Sequence, residues 1–342
     1  SSRTTAMRRS FRPVSRGPAG PPTGGGRVSG LGHVLLSSMR DEGPYVLEYV
    51  AHHRAIGFDR LFIASNDCRD GTDLMLDALD AAGAVTHHRS TLAPRDIPQH
   101  AAYAAMRKAH GLDRADWLMV LDADEFLDVT TGAGRVQDLT AAAGEDADII
   151  ILNPHTFGST EDPLWHPGLV TEQFTRRAAA RSAHNAPVKS LARGLGRFGA
   201  IHNHSVTGYT GAAPLTVMRG DGTRFTLPGN DPHLWRNLRR LPVADIRHGL
   251  AHYNHYAVKS LAAYCLRQLR GRGARPVSEA NTRHDTLYFD RLARLRVQDT
   301  GFAARHGDRL RAEYARLLAL PGVAEAQAET ERRYGALIEA LV

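Results

Sequence analysis

From Leu31 onward, short apolar runs alternate with longer amphipathic ones, the pattern of βα units that build a mostly parallel sheet. The spacing predicts a strand at His33–Ser38 and a helix opened by Pro44 and closed at Gly57. Further strands are predicted at Arg60–Ser65, Ala84–Arg89, Asp116–Leu121 and Asp148–Asn153, with helices at Thr72–Ala82 and Pro98–His110 between them. The fourth strand is almost wholly apolar, as a strand buried on both faces must be. These units imply a doubly wound, Rossmann-like α/β core of about 125 residues.

After Pro154 the rhythm gives way to Gly-, Pro-, His- and Arg-rich sequence as far as about residue 245, which reads as loops and mixed strands. Helical periodicity returns at Val258, Leu261, Cys265, Leu266 and Leu269 and again from Leu287. The expected organisation is a domain over 31–255, with halves 31–153 and 154–255, followed by a helical region over 256–342. Residues 1–30 hold six arginines, no acid, and Gly or Pro at ten positions. They read as a disordered basic tail, with peripheral contact to an anionic surface as its one suggested role.

That tail carries six of the seven net positive charges. The rest of the chain is nearly neutral, which argues against nucleic acid as a partner. Two cysteines, Cys68 and Cys265, supply neither a disulfide framework nor a four-thiolate zinc site, so the reducing cytoplasm is the expected compartment. No apolar run approaches the roughly 18 residues of a membrane-spanning helix, and no transmembrane segment is expected.

The strongest chemical signal is Asp122-Ala123-Asp124-Glu125, directly after the apolar run 117–121. Ligands of open α/β sheets bind outside the carboxyl ends of the strands, and carboxylates clustered there repel one another unless a cation neutralises them. A hard divalent ion such as Mg2+ or Mn2+ suits oxygen donors and completes its shell with substrate phosphate oxygens. Two more polar loops, Ser38–Pro44 and Ser65–Thr72, follow strands at the same edge. Their convergence defines a crevice in which a nucleotide would lie.

The run Arg40-Asp41-Glu42-Gly43-Pro44-Tyr45, then Glu48–Arg54 with Gly57, Asn66…Asp70-Gly71-Thr72, Pro98-Gln99 and Trp117–Leu127 resembles a family 2-type glycosyltransferase of the GT-A fold over residues 33–130. It is similar to a divergent glycan-synthesising branch with an Asp-Ala-Asp-Glu-Phe metal loop. The resemblance implies a nucleotide-diphosphate sugar donor, most often UDP-linked, contacted by Arg40, Asp41, Glu42, Ser65, Asn66, Asp70, Gln99 and Asp122. It implies Mn2+ or Mg2+ at Asp122 and Asp124, and a distant histidine in the shell, His255 ahead of His252. Two positions depart from the pattern: Ser65 stands where an Asp commonly reads the base, and Asp41 where Asn is common.

Coverage thins beyond residue 130, where Phe157-Gly158-Ser159, Trp165, Phe174-Thr175-Arg176, Val188-Lys189-Ser190 and His202 resemble the acceptor side. Lys189 and Lys259 are two of only three lysines beside forty arginines. Each would contact a phosphate as a compact point charge. Arg267, Arg270 and Arg272 would close on the diphosphate as a basic loop.

The expected reaction is transfer of the sugar to a hydroxyl of a glycan or similar acceptor, and the resemblance implies that it proceeds with inversion. The proton acceptor is Glu172 or Asp162, with Glu161 a third candidate. The rivals are a metal-dependent nucleotidyltransferase or phosphohydrolase, against which the acidic first loop argues, and a non-catalytic sugar-nucleotide-binding module.

Overall fold

A computed structural model describes residues 30–341 apart from 232, 272 and 280–284. The basic tail and Arg272 lie outside the described residues. The described residues from Leu31 onward form one compact unit.

The chain runs β1 (His33–Met39), α1 (Gly43–Ala55), β2 (Arg60–Ser65), α2 (Thr72–Ala81), β3 (Thr86–Arg89), α3 (Pro98–His110), β4 (Trp117–Val120), β5 (Glu125–Val129), α4 (Val136–Ala143), β6 (Ile149–Leu152) and β7 (Pro154–Thr156). It continues through α5 (Val170–Gln173), β8 (Arg176–Arg177), β9 (Lys189–Ala192), β10 (Phe198–Ile201), β11 (Val206–Tyr209), β12 (Leu215–Arg219), β13 (Arg224–Leu227), α6 (Leu234–Asn237) and β14 (Ala251–His255). The C-terminal part holds α7 (Leu261–Arg270), α8 (Thr286–Ala293), β15 (Val297–Gln298), α9 (Gly301–Leu318) and α10 (Val323–Glu339).

Eight strands form the central sheet in the order β13-β12-β6-β9-β4-β1-β2-β3. Four of its seven neighbouring pairs are parallel, and both pairs involving β9 are antiparallel. The five predicted strands all appear within a residue or two of their expected bounds. The insertion of β9 between β4 and β6 was not read from the sequence. Because β9 runs against its neighbours, its first residue, Lys189, pairs with Leu152 at the carboxyl end of β6.

A smaller sheet, β5-β14-β7, stands beside the first. It places His255, the last residue of β14, in register with Glu125, the first of β5. β5 is an edge strand, and an edge buried under a helix needs partners for its backbone. Helix α1 supplies them from two adjacent histidines. His52 Nε2 donates to the Leu127 carbonyl at 2.7 Å, and the Leu127 N–H donates to His53 Nε2 at 3.3 Å. His53 Nδ1 then donates to the Tyr49 carbonyl at 2.8 Å, so the ring is held as one neutral tautomer.

Helix α1 is buried from Gly43 through His53. It lies beneath α9 and α10, with Tyr45 and Tyr334 meeting edge to face at 5.6 Å. The C-terminal helices therefore complete the core around the first helix. One residue beyond Leu127, Asp128 is fully buried between His252 at 3.2 Å, His306 at 3.0 Å and Arg305 at 2.5 Å, tying β5 and β14 to α9. Among the described residues no helix is long and apolar enough to cross a membrane.

Burial drives the His53 imidazole down to about 3, so the folded protein refuses a proton that the unfolded chain takes up near pH 6.5. Stability from this group is full above about pH 6.5 and is lost as pH falls toward 3. His53→Leu should cost roughly 1–3 kcal/mol at pH 7 through the orphaned Leu127 N–H. In urea unfolding the gap between wild type and variant should narrow from pH 7 to pH 5; a constant gap would contradict the neutral buried ring.

Candidate active site

The carboxyl ends of β1, β2 and β4 open into one cavity, lined by Arg40 and Glu42 from the first loop, Asn66 from the second, and Asp122 and Asp124 from the third. Gln99 at the start of α3, Asn203 after β10, and Arg267 and Arg270 at the end of α7 complete its polar wall. Residues 273–279 return across the opening. They are held by Gln99 N–H to the Gly273 carbonyl at 3.0 Å and by Val277 N–H to the Asp96 carbonyl at 3.1 Å.

Four acidic and four basic side chains are interleaved here. Asp122 accepts from Gln99 Nε2 at 2.6 Å and from Lys189 at 3.0 Å. Glu125 receives Lys189 at 2.7 Å and the Asp122 N–H at 2.8 Å, closing the turn from below. Asp124 is paired with Arg267, and His255 Nε2 stands 3.7 Å from it. Glu42 is paired with Arg270 and lies 3.3 Å from Lys259, whose ammonium sits 4.3 Å over the Tyr45 ring.

Burial of this kind is costly for each charge alone and tolerable only in pairs. Burial pushes the Asp124 carboxyl up, but Arg267 and His255 outweigh it and hold it well below the usual range. For Glu42, burial is likewise overcome by Arg270 and Lys259. Glu125 goes the other way: burial raises it to about 7 against the pull of Lys189. Asp41 and Lys259 both adopt left-handed backbone, with φ of 50°, which is uncommon for residues other than glycine and gathers at functional sites.

Several expected donor contacts are absent from the cavity lining. Asp41 turns to Arg69, accepting its backbone N–H at 2.7 Å and its guanidinium at 2.6 and 3.0 Å, so it joins the first two loops. Asp70 is spent on Gly43 N–H at 2.6 Å and on Thr72 N–H and Oγ1 at 3.0 and 2.7 Å, fixing the start of α1 and α2. Ser65 bonds His87 at 2.8 Å. Lys189 lies buried under the acidic turn, and Lys259 lines an adjoining small recess.

The expected proton acceptors also lie elsewhere. Helix α5 is docked on α1 by Glu48, which accepts from Val170 N–H at 2.7 Å and from Thr171 N–H and Oγ1 at 3.0 and 2.7 Å. This turns Glu172 toward Arg311 of α9, on the surface. Asp162 pairs with His166 at 2.8 Å and Glu161 with Arg176 at 3.0 Å, both exposed. His252, the second histidine considered for the metal shell, is committed to Asp128. The sequence reading expected a basic loop with Arg267, Arg270 and Arg272 to close here, but missed Asn203 and the continuation over residues 273–279. The only signal for Asn203 was its place between two histidines just after an apolar run, and for the segment its Gly and Pro content.

The donor chemistry at Asp122, Asp124 and His255 fits a divalent cation. Among the described residues, however, no three His, Cys, Asp or Glu side chains converge as a complete set of protein ligands. An ion here would therefore share its shell with oxygens of a bound phosphate, as Mg2+ commonly does.

No protein-family model matches the chain. The sequence is 26% identical over 174 residues to a glycosyltransferase family 92 protein of Ricinus communis, a match covering 49% of this chain and 30% of that one. A family 92 protein of Oryza sativa subsp. japonica is 27% identical over 174 residues, covering 49% and 29%. The chain thus spans about a third of the length of the curated relatives it matches. Among solved structures, residues 1–349 of S. aureus TarS, crystallised with UDP-GlcNAc, align over 90% of this chain and 91% of that one at 12% identity and a TM-score of 0.32, too distant to bear on function.

Removing the shared cation beneath the acidic turn strands two carboxylates. Lys189→Met should lower stability by roughly 3–5 kcal/mol in urea unfolding. The double variant Lys189→Met with Glu125→Gln should recover part of that loss; no recovery would mean that Lys189 acts through packing rather than charge.

Proposed function

We propose that the chain is a glycosyltransferase that moves a sugar from a nucleotide-diphosphate donor, with UDP as the nucleotide, to an acceptor hydroxyl with inversion. The observation that carries this reading is the acidic turn Asp122–Asp124 at the end of β4, with Arg267 paired to Asp124 and Arg270 paired to Glu42 on the wall of one cavity at the carboxyl edge of the sheet. The sequence similarity to family 92 glycosyltransferases supports it. A diphosphate needs fixed positive charge where negative charge develops on its departing oxygen, and two guanidiniums present planar donors suited to phosphate.

Asp122, Asp124 and His255 are the residues that would hold Mn2+ or Mg2+. Such an ion supplies charge stabilisation to the leaving diphosphate. Gln99 and Lys189 hold the Asp122 carboxylate in place. In the transfer, the bond from the anomeric carbon to the diphosphate oxygen breaks and its electron pair stays with the diphosphate. The acceptor oxygen forms the new bond on the opposite face and gives up its proton to a base. Among the described residues, Glu42, Asp122 and Asp124 of the cavity lining each face a paired cation. Among the described residues Glu279 faces only Arg275, half-exposed, at 3.7 Å. We assign the proton-accepting role to Glu279, in place of Glu172 and Asp162.

Calorimetric titration of UDP with and without Mn2+ tests the donor site. Wild type should bind with the metal, and Asp124→Asn, checked for folding by circular dichroism, should bind at least tenfold more weakly. Equal binding by both proteins, or binding of GDP in preference to UDP, would overturn the assignment. Glu279→Gln should keep UDP affinity and lower turnover by about 10²–10⁴-fold; unchanged turnover would remove it from the mechanism.

A further inference from the structure

A second depression adjoins the donor cavity and is used by none of the chemistry above. It lies between α3 and the antiparallel hairpin β10–β11, with His100, Tyr103 and Ala104 on one wall and Gly199, Ala200 and His202 on the other. Two pairs of consecutive residues form the divide between it and the cavity. Gln99 and Asn203 line the cavity, while His100 and His202 line the groove. The two imidazole rings stand 4.6 Å apart. The charges of Lys189 and Asp122 act on the His202 ring, so the groove ends within electrostatic reach of the acidic turn.

This divide carries polar atoms with no partner among the described residues. Gln99 Oε1, His100 Nε2, Tyr103 Oη and Asn203 Oδ1 are all buried atoms without a hydrogen bond, and Tyr103, Gln99 and Asn203 are more than nine-tenths buried as residues. Buried polar atoms are normally paired, and a cluster of unpaired ones asks for a ligand or water. The rim is already fixed, since Arg107 is held by Asp113 at 2.7 Å and by the Leu195 carbonyl at 2.8 Å.

We propose that this groove is the acceptor subsite, taking a polyhydroxylated glycan whose hydroxyls bond His100 and His202 and whose reacting end passes between Gln99 and Asn203 into the donor cavity. The proposal rests on the glycosyltransferase reading. Burial lowers both imidazoles, His202 to about 4, so near neutral pH each ring offers one donor and one acceptor. A sugar hydroxyl requires that combination. The ring faces and the small residues Ala104, Gly199 and Ala200 leave apolar surface for the C–H face of a sugar. Two cations line the groove: Arg107, already paired with Asp113, and Lys108.

The test uses Ala104→Trp, an exposed helix position outside the donor machinery, whose indole would fill the groove. Saturation-transfer NMR would be run with the methyl glycosides of glucose, galactose, mannose and N-acetylglucosamine, and UDP titrated in parallel. We expect at least one glycoside to bind wild type, with binding at least tenfold weaker in Ala104→Trp and UDP affinity unchanged. Equal glycoside binding by both proteins, or UDP binding with no glycoside bound, would overturn the acceptor groove and leave the donor reading standing. Failure of wild type to bind UDP would overturn the donor reading, and the acceptor assignment with it.

Discussion

The backbone of Leu127 is the point on which the site depends. It lies on an edge strand that must be buried for the acidic turn two residues before it to face the cavity, and a buried edge without partners would cost several kcal/mol. His52 and His53 give Leu127 one donor and one acceptor, doing for this edge what another strand would do. Because both histidines belong to α1, the same helix that packs on the sheet also fixes the strand that carries Glu125. His255 is in turn placed by its register against Glu125. Movement of α1 would therefore be felt at the acidic turn, at its partner histidine and, through Glu48, at α5.

Charge compensation sets the second constraint. Glu42, Asp122, Asp124 and Glu125 are surrounded by Lys189, Lys259, Arg267 and Arg270, so these groups together are close to neutral while the individual charges are strong. A site built this way can admit an anion by rearranging pairs that already exist, without burying an unpaired charge. Lysine is used where a compact ammonium must sit below the turn. Arginine is used at the end of α7, where a flat guanidinium spans between the loops and the cavity.

The α/β frame was legible because its signals are local. Apolar runs of strand length, Pro at helix starts and Gly at helix ends gave five strands and three helices near their observed bounds. The acidic turn was legible for a related reason: three carboxylates directly after a buried strand have no purpose in a core. The polar residues of the neighbouring loops were harder to read. Asp41, Asp70 and Ser65 look from the sequence like ligand contacts, yet each is consumed by a backbone or side-chain partner brought from 22 to 28 residues away. The same holds for Glu172, whose outward direction was set by Glu48, 122 residues before the start of its helix.

What the sequence by itself determined is the periodic frame and the position of the acidic turn at its carboxyl edge, since both follow from hydrophobic spacing along the chain. Tertiary structure alone decided which polar side chains face the cavity. β9 enters the sheet antiparallel and so delivers Lys189 under the turn. α7 brings Arg267 from 143 residues away to Asp124. Residues 273–279 close across the opening onto α3. A side chain's role is fixed by the partners that burial forces on it, and those partners are distant in sequence.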